Sequence, residues 1–120
     1  MLAFKSLNTS SKKTCIFDEI DSGIGGEVGV VVGKKICEIS RHSQVICITH
    51  LAQIASFGDF NYRIHKFEKD NSTITEVNLL HSDEKVQEIA RMLGNSNNAT
   101  SILHAKEVIE ESNEFKAIAS

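Results

Sequence analysis

The chain has 120 residues, of which 41% are hydrophobic and 24% are charged, and its formal net charge at pH 7 is −3. This balance is ordinary for one small folded domain and excludes wholesale disorder. A domain that binds DNA mainly through contacts to its phosphates is more often basic. In a protein that acts on DNA, this segment would therefore be the motor part and not the DNA-binding part.

The first half of the chain predicts a parallel strand–helix–strand unit. Residues 1–7 look like the tail of a helix, and a polar loop follows over 8–13. The apolar run Thr14 to Phe17 stops at an acidic pair, which is typical of a short strand buried on both faces. After a glycine-rich turn over 22–26, apolar residues recur at helical spacing, and a second apolar run over 45–48 ends at Thr49-His50. The apolar residues of this predicted crossover helix are Val28, Val31, Val32, Ile36 and Ile39.

The second half predicts a β-hairpin and C-terminal helices. A short helix is expected over 51–56, and alternating patterns over 62–68 and 72–80 indicate two strands joined by a turn at 69–71. Helices are then expected over 83–93, with Gly94 at the end, and over 100–111, while the tail from 113 carries no clear pattern. The predicted fold class is α/β, with a parallel βαβ core in three α/β/α layers.

Polar side chains follow both apolar runs. Asp18 and Glu19 come after the first, and His50 comes after the second. Because ligands bind at the carboxyl ends of parallel strands, these side chains would share one edge of the sheet. One carboxylate suits hydrated Mg²⁺, a second can take a proton from water, and an imidazole can bind a phosphate oxygen. The set predicts metal-assisted phosphoryl transfer, although acids that end a strand are often only solvated surface.

Three stretches resemble the RecN family of SMC-like ABC ATPases, which act in DNA repair. Residues 16–26, IFDEIDSGIGG, look like its Walker B motif and D-loop, and residues 45–55, VICITHLAQIA, look like its switch-histidine segment. Residues 86–94, VQEIARMLG, resemble a motif near the C-terminus of that family. The resemblance runs from residue 1 to about 111, and it implies that 1–120 are the C-terminal lobe of an ABC-type P-loop NTPase head.

The resemblance also implies a role for each matching residue. Asp18 would hold Mg²⁺ through water, Glu19 would be the general base, and His50 would contact the γ-phosphate side of ATP. Asp21, Ser22 and Gly23 would form the D-loop at the interface of a head-to-head homodimer. The expected cofactors are ATP and Mg²⁺, and the expected function is recombinational repair of DNA double-strand breaks, with DNA bound through the full-length protein.

A phosphate-binding loop is missing from the sequence. The nearest candidate, 28–35, has valine at its first glycine position and lysine at its final Ser/Thr position, and it lies inside the predicted helix. The Walker A lobe and the coiled coil would therefore belong to other polypeptide. We expect this chain alone to bind ATP poorly, to lack ATPase activity, and to expose an apolar strand edge that favours self-association.

Three other readings stay open from the residues. The first is a head fragment of another SMC-like protein or an ABC transporter subunit. The second is a Toprim-like or other metal-dependent nuclease that uses Glu19 and Asp21, although no further acidic cluster follows the second strand. The third is a non-catalytic dimerisation or interaction module. Three cysteines at unrelated spacings and the lack of a signal-peptide pattern favour a cytoplasmic location, at the nucleoid when the protein engages DNA.

Overall fold

A computed structural model describes residues 2–5, 13–95 and 97–119. In chain order the elements are β1 (Leu2–Lys5), β2 (Thr14–Asp18), α1 (Gly26–Ile39), β3 (Gln44–Ile48), α2 (Ala52–Ala55), β4 (Phe60–Lys69), β5 (Ser72–Leu79), α3 (Ser82–Leu93) and α4 (Ala99–Ala119). The described strands form one sheet in the order β2-β3-β1-β4-β5, and among them only the β2–β3 pair is parallel. The α/β class and the βαβ unit that the sequence predicted are confirmed.

Helix α1 buries only part of the apolar face that the sequence predicted: Ile36 is in the core and Val32 packs against it. Its buried residues are Gly29, Gly33, Ile36 and Cys37, while Val28 and Val31 are 50% and 58% exposed. The prediction is wrong for these two valines and for Ile39, which is 40% exposed, because the glycines let α1 approach the 51–57 segment closely. A Cβ built on Gly33 would lie 2.5 Å from the Phe57 ring.

The chain start forms a strand, so the prediction of a helix tail is wrong for residues 2–5. Strand β1 lies between β3 and β4 and pairs antiparallel with both, with Phe4 opposite Ile46 on one side and Phe60 on the other. Hydrogen bonding to two neighbours satisfies the main chain on both sides, and this outweighs a local helical preference. Residues 6–12, where the other part of that helix tail and most of the polar loop were expected, lie outside the described residues.

The hairpin and the last two helices match their predictions with small changes at the ends. Strands β4 and β5 pair up to Lys69 and Ser72, and the two residues between them have φ angles of 51° and 62°, which suits a type I′ turn. Helix α3 buries Ile89 and Ala90 and ends before Gly94, whose φ is 151°. Helix α4 continues to residue 119, well past its expected end.

The described helices cover one face of the sheet. Val45 and Cys47 pack with Ile36 and Ile54 on that face, and the Asn61 side-chain amide donates to the Ala55 carbonyl at 2.9 Å. The strand register places an open apolar face on the other side, whose most exposed residues are Ile16 (67%), Phe60 (48%), Val77 (54%) and Leu79 (44%). Because β2 is an edge strand and no described helix covers this face, two predictions are wrong for the described chain: a third layer, and a first strand buried on both faces.

Candidate active site

The ends of β2 and β3 lie side by side. In their parallel register Asp18 is opposite Ile48, and the Glu19 amide donates to the Ile48 carbonyl at 3.0 Å. The polar residues that follow each strand therefore emerge at the same edge of the sheet, as the two apolar runs predicted.

Glu19 and His50 meet at this edge. The Glu19 Oε1 atom lies 3.8 Å from His50 Nε2, and the two side chains are 68% and 79% exposed. An ion pair that is so exposed adds little to folding stability. Both side chains are accessible to a ligand. Glu19 also has a φ of 53°, and a non-glycine residue in this left-handed region is strained and is enriched at functional sites. No local sequence signal predicts that backbone conformation.

Asp18 is exposed at the last position of β2. Alternation along the strand puts it on the open face with Ile16, while Cys15 and Phe17 pack into the core beneath α1. Within the described chain, no group of three or more His, Cys, Asp or Glu side chains is arranged to hold a metal ion. A single exposed carboxylate does fit Mg²⁺, because this ion keeps several waters and is usually bound by one or two carboxylates together with substrate phosphates.

Asp21 is buried, and only 9% of its surface is exposed to solvent. Its Oδ2 atom accepts hydrogen bonds from the Thr49 hydroxyl and from the His50 amide, both at 2.6 Å. Burial alone would raise the pKa of this carboxyl, but the two hydrogen bonds lower it below its ordinary value of 3.8. The Asp21 carboxylate is thus hydrogen-bonded to the segment that carries His50. The other two residues of the predicted D-loop, Ser22 and Gly23, are exposed.

The sequence of the chain matches a set of DNA repair proteins, although no family model matches it. It is 36% identical to the DNA repair protein RecN of Deinococcus radiodurans over 91% of its length, and 41% identical to that of Bacillus subtilis over 97%. The RecN of Treponema pallidum is 43% identical over 91% of the chain. The chain belongs to the RecN family. It spans only about a fifth of the length of these relatives.

The third RecN-like stretch, residues 86–94, lies in α3 and at its end and stabilises that helix. Its Glu88 is 5% exposed, pairs with Arg91 one turn along the helix, and lies 3.8 Å from Arg63 Nε of β4. Burial acts to raise the pKa of Glu88, but Arg91 and then Arg63 outweigh it and lower the pKa below 4.5. This RecN-family motif therefore joins α3 to strand β4 of the hairpin.

Two further findings on this RecN-family chain concern a groove between its helices and the character of those helices. A groove of about 690 Å³ lies between α1 and α4, and Asp18, Glu19 and His50 are not among its lining residues. The candidate site is instead an open surface at the end of two strands. Over the described residues, no helix combines the length and apolar character needed to cross a bilayer.

Proposed function

We propose that this chain is the catalytic-carboxylate part of a RecN-type ATPase head of the ABC class. The observation that carries the proposal is the meeting of Glu19 and His50, 3.8 Å apart, beside Asp18 at the end of a parallel strand pair. That placement is what hydrolysis of a triphosphate needs, because phosphoryl transfer depends mainly on positioning and on neutralising charge.

Each residue then has a distinct role. Asp18 would hold a hydrated Mg²⁺, which when bound supplies positive charge to the phosphate oxygens. Glu19 would take the proton of the attacking water as general base, and His50 would hydrogen-bond on the γ-phosphate side. The exposure of the Glu19 and His50 side chains supports these roles, since both can reach a substrate held by polypeptide outside this chain.

Activity would require that other polypeptide. The sequence contains no glycine-rich phosphate loop, and the edge carrying Glu19 is open to water, which weakens every electrostatic contact made there. The exposed apolar face around Ile16 and Val77 also supports cover by a further layer of protein. We therefore propose a chain inactive by itself that works in a head-to-head homodimer in the cytoplasm, at the nucleoid, in recombinational repair of DNA double-strand breaks.

The proposal can be tested in a chimera in which this chain replaces the matching segment of Bacillus subtilis RecN. We expect Mg²⁺-dependent ATP turnover from the chimera and none from the isolated chain. Asp18→Asn and His50→Ala should each lower turnover strongly, because they remove the metal-holding and phosphate-contacting groups. The matched control is Asp70→Asn, which removes one negative charge at the exposed hairpin turn and should leave turnover unchanged. Turnover by the isolated chain, or full activity without Asp18, would contradict the proposal and favour an interaction module.

A further inference from the structure

One carboxylate oxygen holds the segment that carries His50. The Asp21 Oδ2 atom accepts from the Thr49 hydroxyl and from the His50 amide, both at 2.6 Å, and Thr49 is fully buried. The Thr49 hydroxyl oxygen in turn accepts from the Leu51 amide at 3.0 Å. A single acid in the turn after β2 thereby fixes three consecutive residues between the end of β3 and the start of α2.

The two hydrogen bonds that Asp21 accepts are strong ones. Hydrogen bonds to an ionised acceptor are short and roughly twice as strong as neutral ones, and here the acceptor is nearly buried. Removing the acceptor would leave the buried Thr49 hydroxyl without this partner and would release the His50 amide. The main chain of residue 50, and with it the direction of the imidazole, therefore depends on Asp21.

The same turn also carries Glu19. The Ser22 amide donates to the Glu19 carbonyl at 3.3 Å, and the Ile24 amide donates to the Asp21 carbonyl at 3.3 Å, so a short hydrogen-bonded turn joins the two acids. Glu19 enters this turn with its strained φ of 53°. Glu19 and Asp21 thus share one short turn, and the Asp21 carboxylate holds the His50 main chain, while Ser22 and Gly23 at the tip of the turn are exposed.

We propose that Asp21 is a positioning residue that sets His50 against Glu19. The link consists of hydrogen bonds within the chain, which run from the turn over 19–24 through the Asp21 carboxylate to the main chain of residues 49–51. The functional meaning of the link rests on the proposed ATPase role of Glu19 and His50.

The link can be measured by NMR on the 120-residue chain, without nucleotide. In Asp21→Asn the charged acceptor becomes a neutral amide oxygen, so amide exchange at His50 should accelerate about 5- to 10-fold, the fold-change equivalent to replacing a charged hydrogen bond by a neutral one. The His50 amide proton should shift upfield, and the nuclear Overhauser contact between the His50 ring and the Glu19 side chain should weaken. The Ile89 amide in α3 reports global opening and corrects for any general loss of stability. Exchange at His50 within about twofold of the parent after this correction would overturn the proposal.

A second pair of variants keeps the test decisive if Asp21→Asn does not fold. Thr49→Val keeps the shape of the side chain and removes the hydroxyl, whereas Thr49→Ser keeps the hydroxyl. We expect Thr49→Val to disturb the amide signals of residues 50 and 51, and Thr49→Ser to restore them to the parent positions. Equal spectra for the two variants would mean that the hydroxyl link does not position His50, and the proposal would fall.

Turnover in the chimera with Bacillus subtilis RecN then separates this proposal from the proposed function. If both hold, Asp21→Asn lowers kcat far more than it changes the KM for ATP, because the substrate still binds beside a misplaced histidine. If the parent chimera lacks ATPase activity while the NMR shifts appear, the positioning link stands and the ATPase role fails. If Asp21→Asn leaves kcat unchanged in an active chimera, the link has no role in catalysis and the proposal is contradicted.

Discussion

The close approach of α1 to the segment after His50 can be tested with one added methyl group, Gly33→Ala. The Cβ that this change adds would lie 2.5 and 2.6 Å from two atoms of the Phe57 ring and 3.2 Å from the Gln53 carbonyl oxygen. The ring has little room to retreat, since Phe57 is 4% exposed and lies edge-on to Phe115 at a centroid distance of 5.9 Å. The main chain must therefore shift, or the ring must leave its packed position.

Two opposing terms set the size of the effect. Overpacking of this kind costs about 1–3 kcal/mol. Alanine inside a helix recovers about 1 kcal/mol relative to glycine. Because the clash involves a confined ring and a backbone oxygen, we expect the upper part of the range, a net loss of about 1–2 kcal/mol in the free energy of unfolding. That loss corresponds to a fall in Tm of about 4–8 °C for a domain of this size.

Thermal and urea unfolding followed by circular dichroism would measure this loss. The matched control is Val31→Ala on the exposed face of the same helix, which we expect to change stability by less than about 0.5 kcal/mol. A second variant, Gly33→Ala combined with Phe57→Leu, should recover part of the loss from the ring clash. A Gly33→Ala chain as stable as the parent, or more stable, would refute the packing described for α1.

Three further predictions concern the edge, the buried acids and the hairpin. Ile16→Lys on edge strand β2 should lower the weight-average mass in sedimentation at equal concentration, and an unchanged mass would mean that this face does not drive self-association. Because the pKa values of Asp21 and Glu88 are lowered on folding, their contribution to stability is complete above their ordinary values of 3.8 and 4.5 and is lost as the pH falls through the folded values. Urea titrations should show this loss in the parent chain and a shallower one in Glu88→Gln, and identical pH profiles would contradict it. Asn71→Ala should cost about 1 kcal/mol because φ is 62° there, whereas Asn71→Gly should not, and equal Tm values for the two would contradict the turn geometry.

The candidate edge could be read from the sequence because its signals are local. Two apolar runs that stop at polar residues, separated by enough chain for a crossover helix, already imply parallel strands with Asp18, Glu19 and His50 at one end. The partner of Asp21 could not be read in this way. Its acceptance of the Thr49 hydroxyl joins residues 28 positions apart and depends on the register of β2 against β3.

The errors in the fold have a common physical origin in tertiary packing. Periodicity favoured Val28 and Val31 as the buried face of α1, but helix packing selected the side that carries Gly29 and Gly33. Leu2–Lys5 is too short for its own pattern to decide between helix and strand, and pairing with two neighbours decided it. Hydrophobic pattern reports which residues can be buried, and only the packed chain decides which of them are.

The role proposed for Glu19 is that of a general base on water beside ATP. Its most direct test is a single-turnover measurement of hydrolysis of bound ATP by the chimera with Bacillus subtilis RecN, comparing the parent with Glu19→Gln. We expect the hydrolysis step to slow by about 100-fold or more while ATP affinity is kept, because glutamine has nearly the shape of the acid but cannot accept the proton. Hydrolysis of bound ATP at the parental rate in Glu19→Gln would contradict the account.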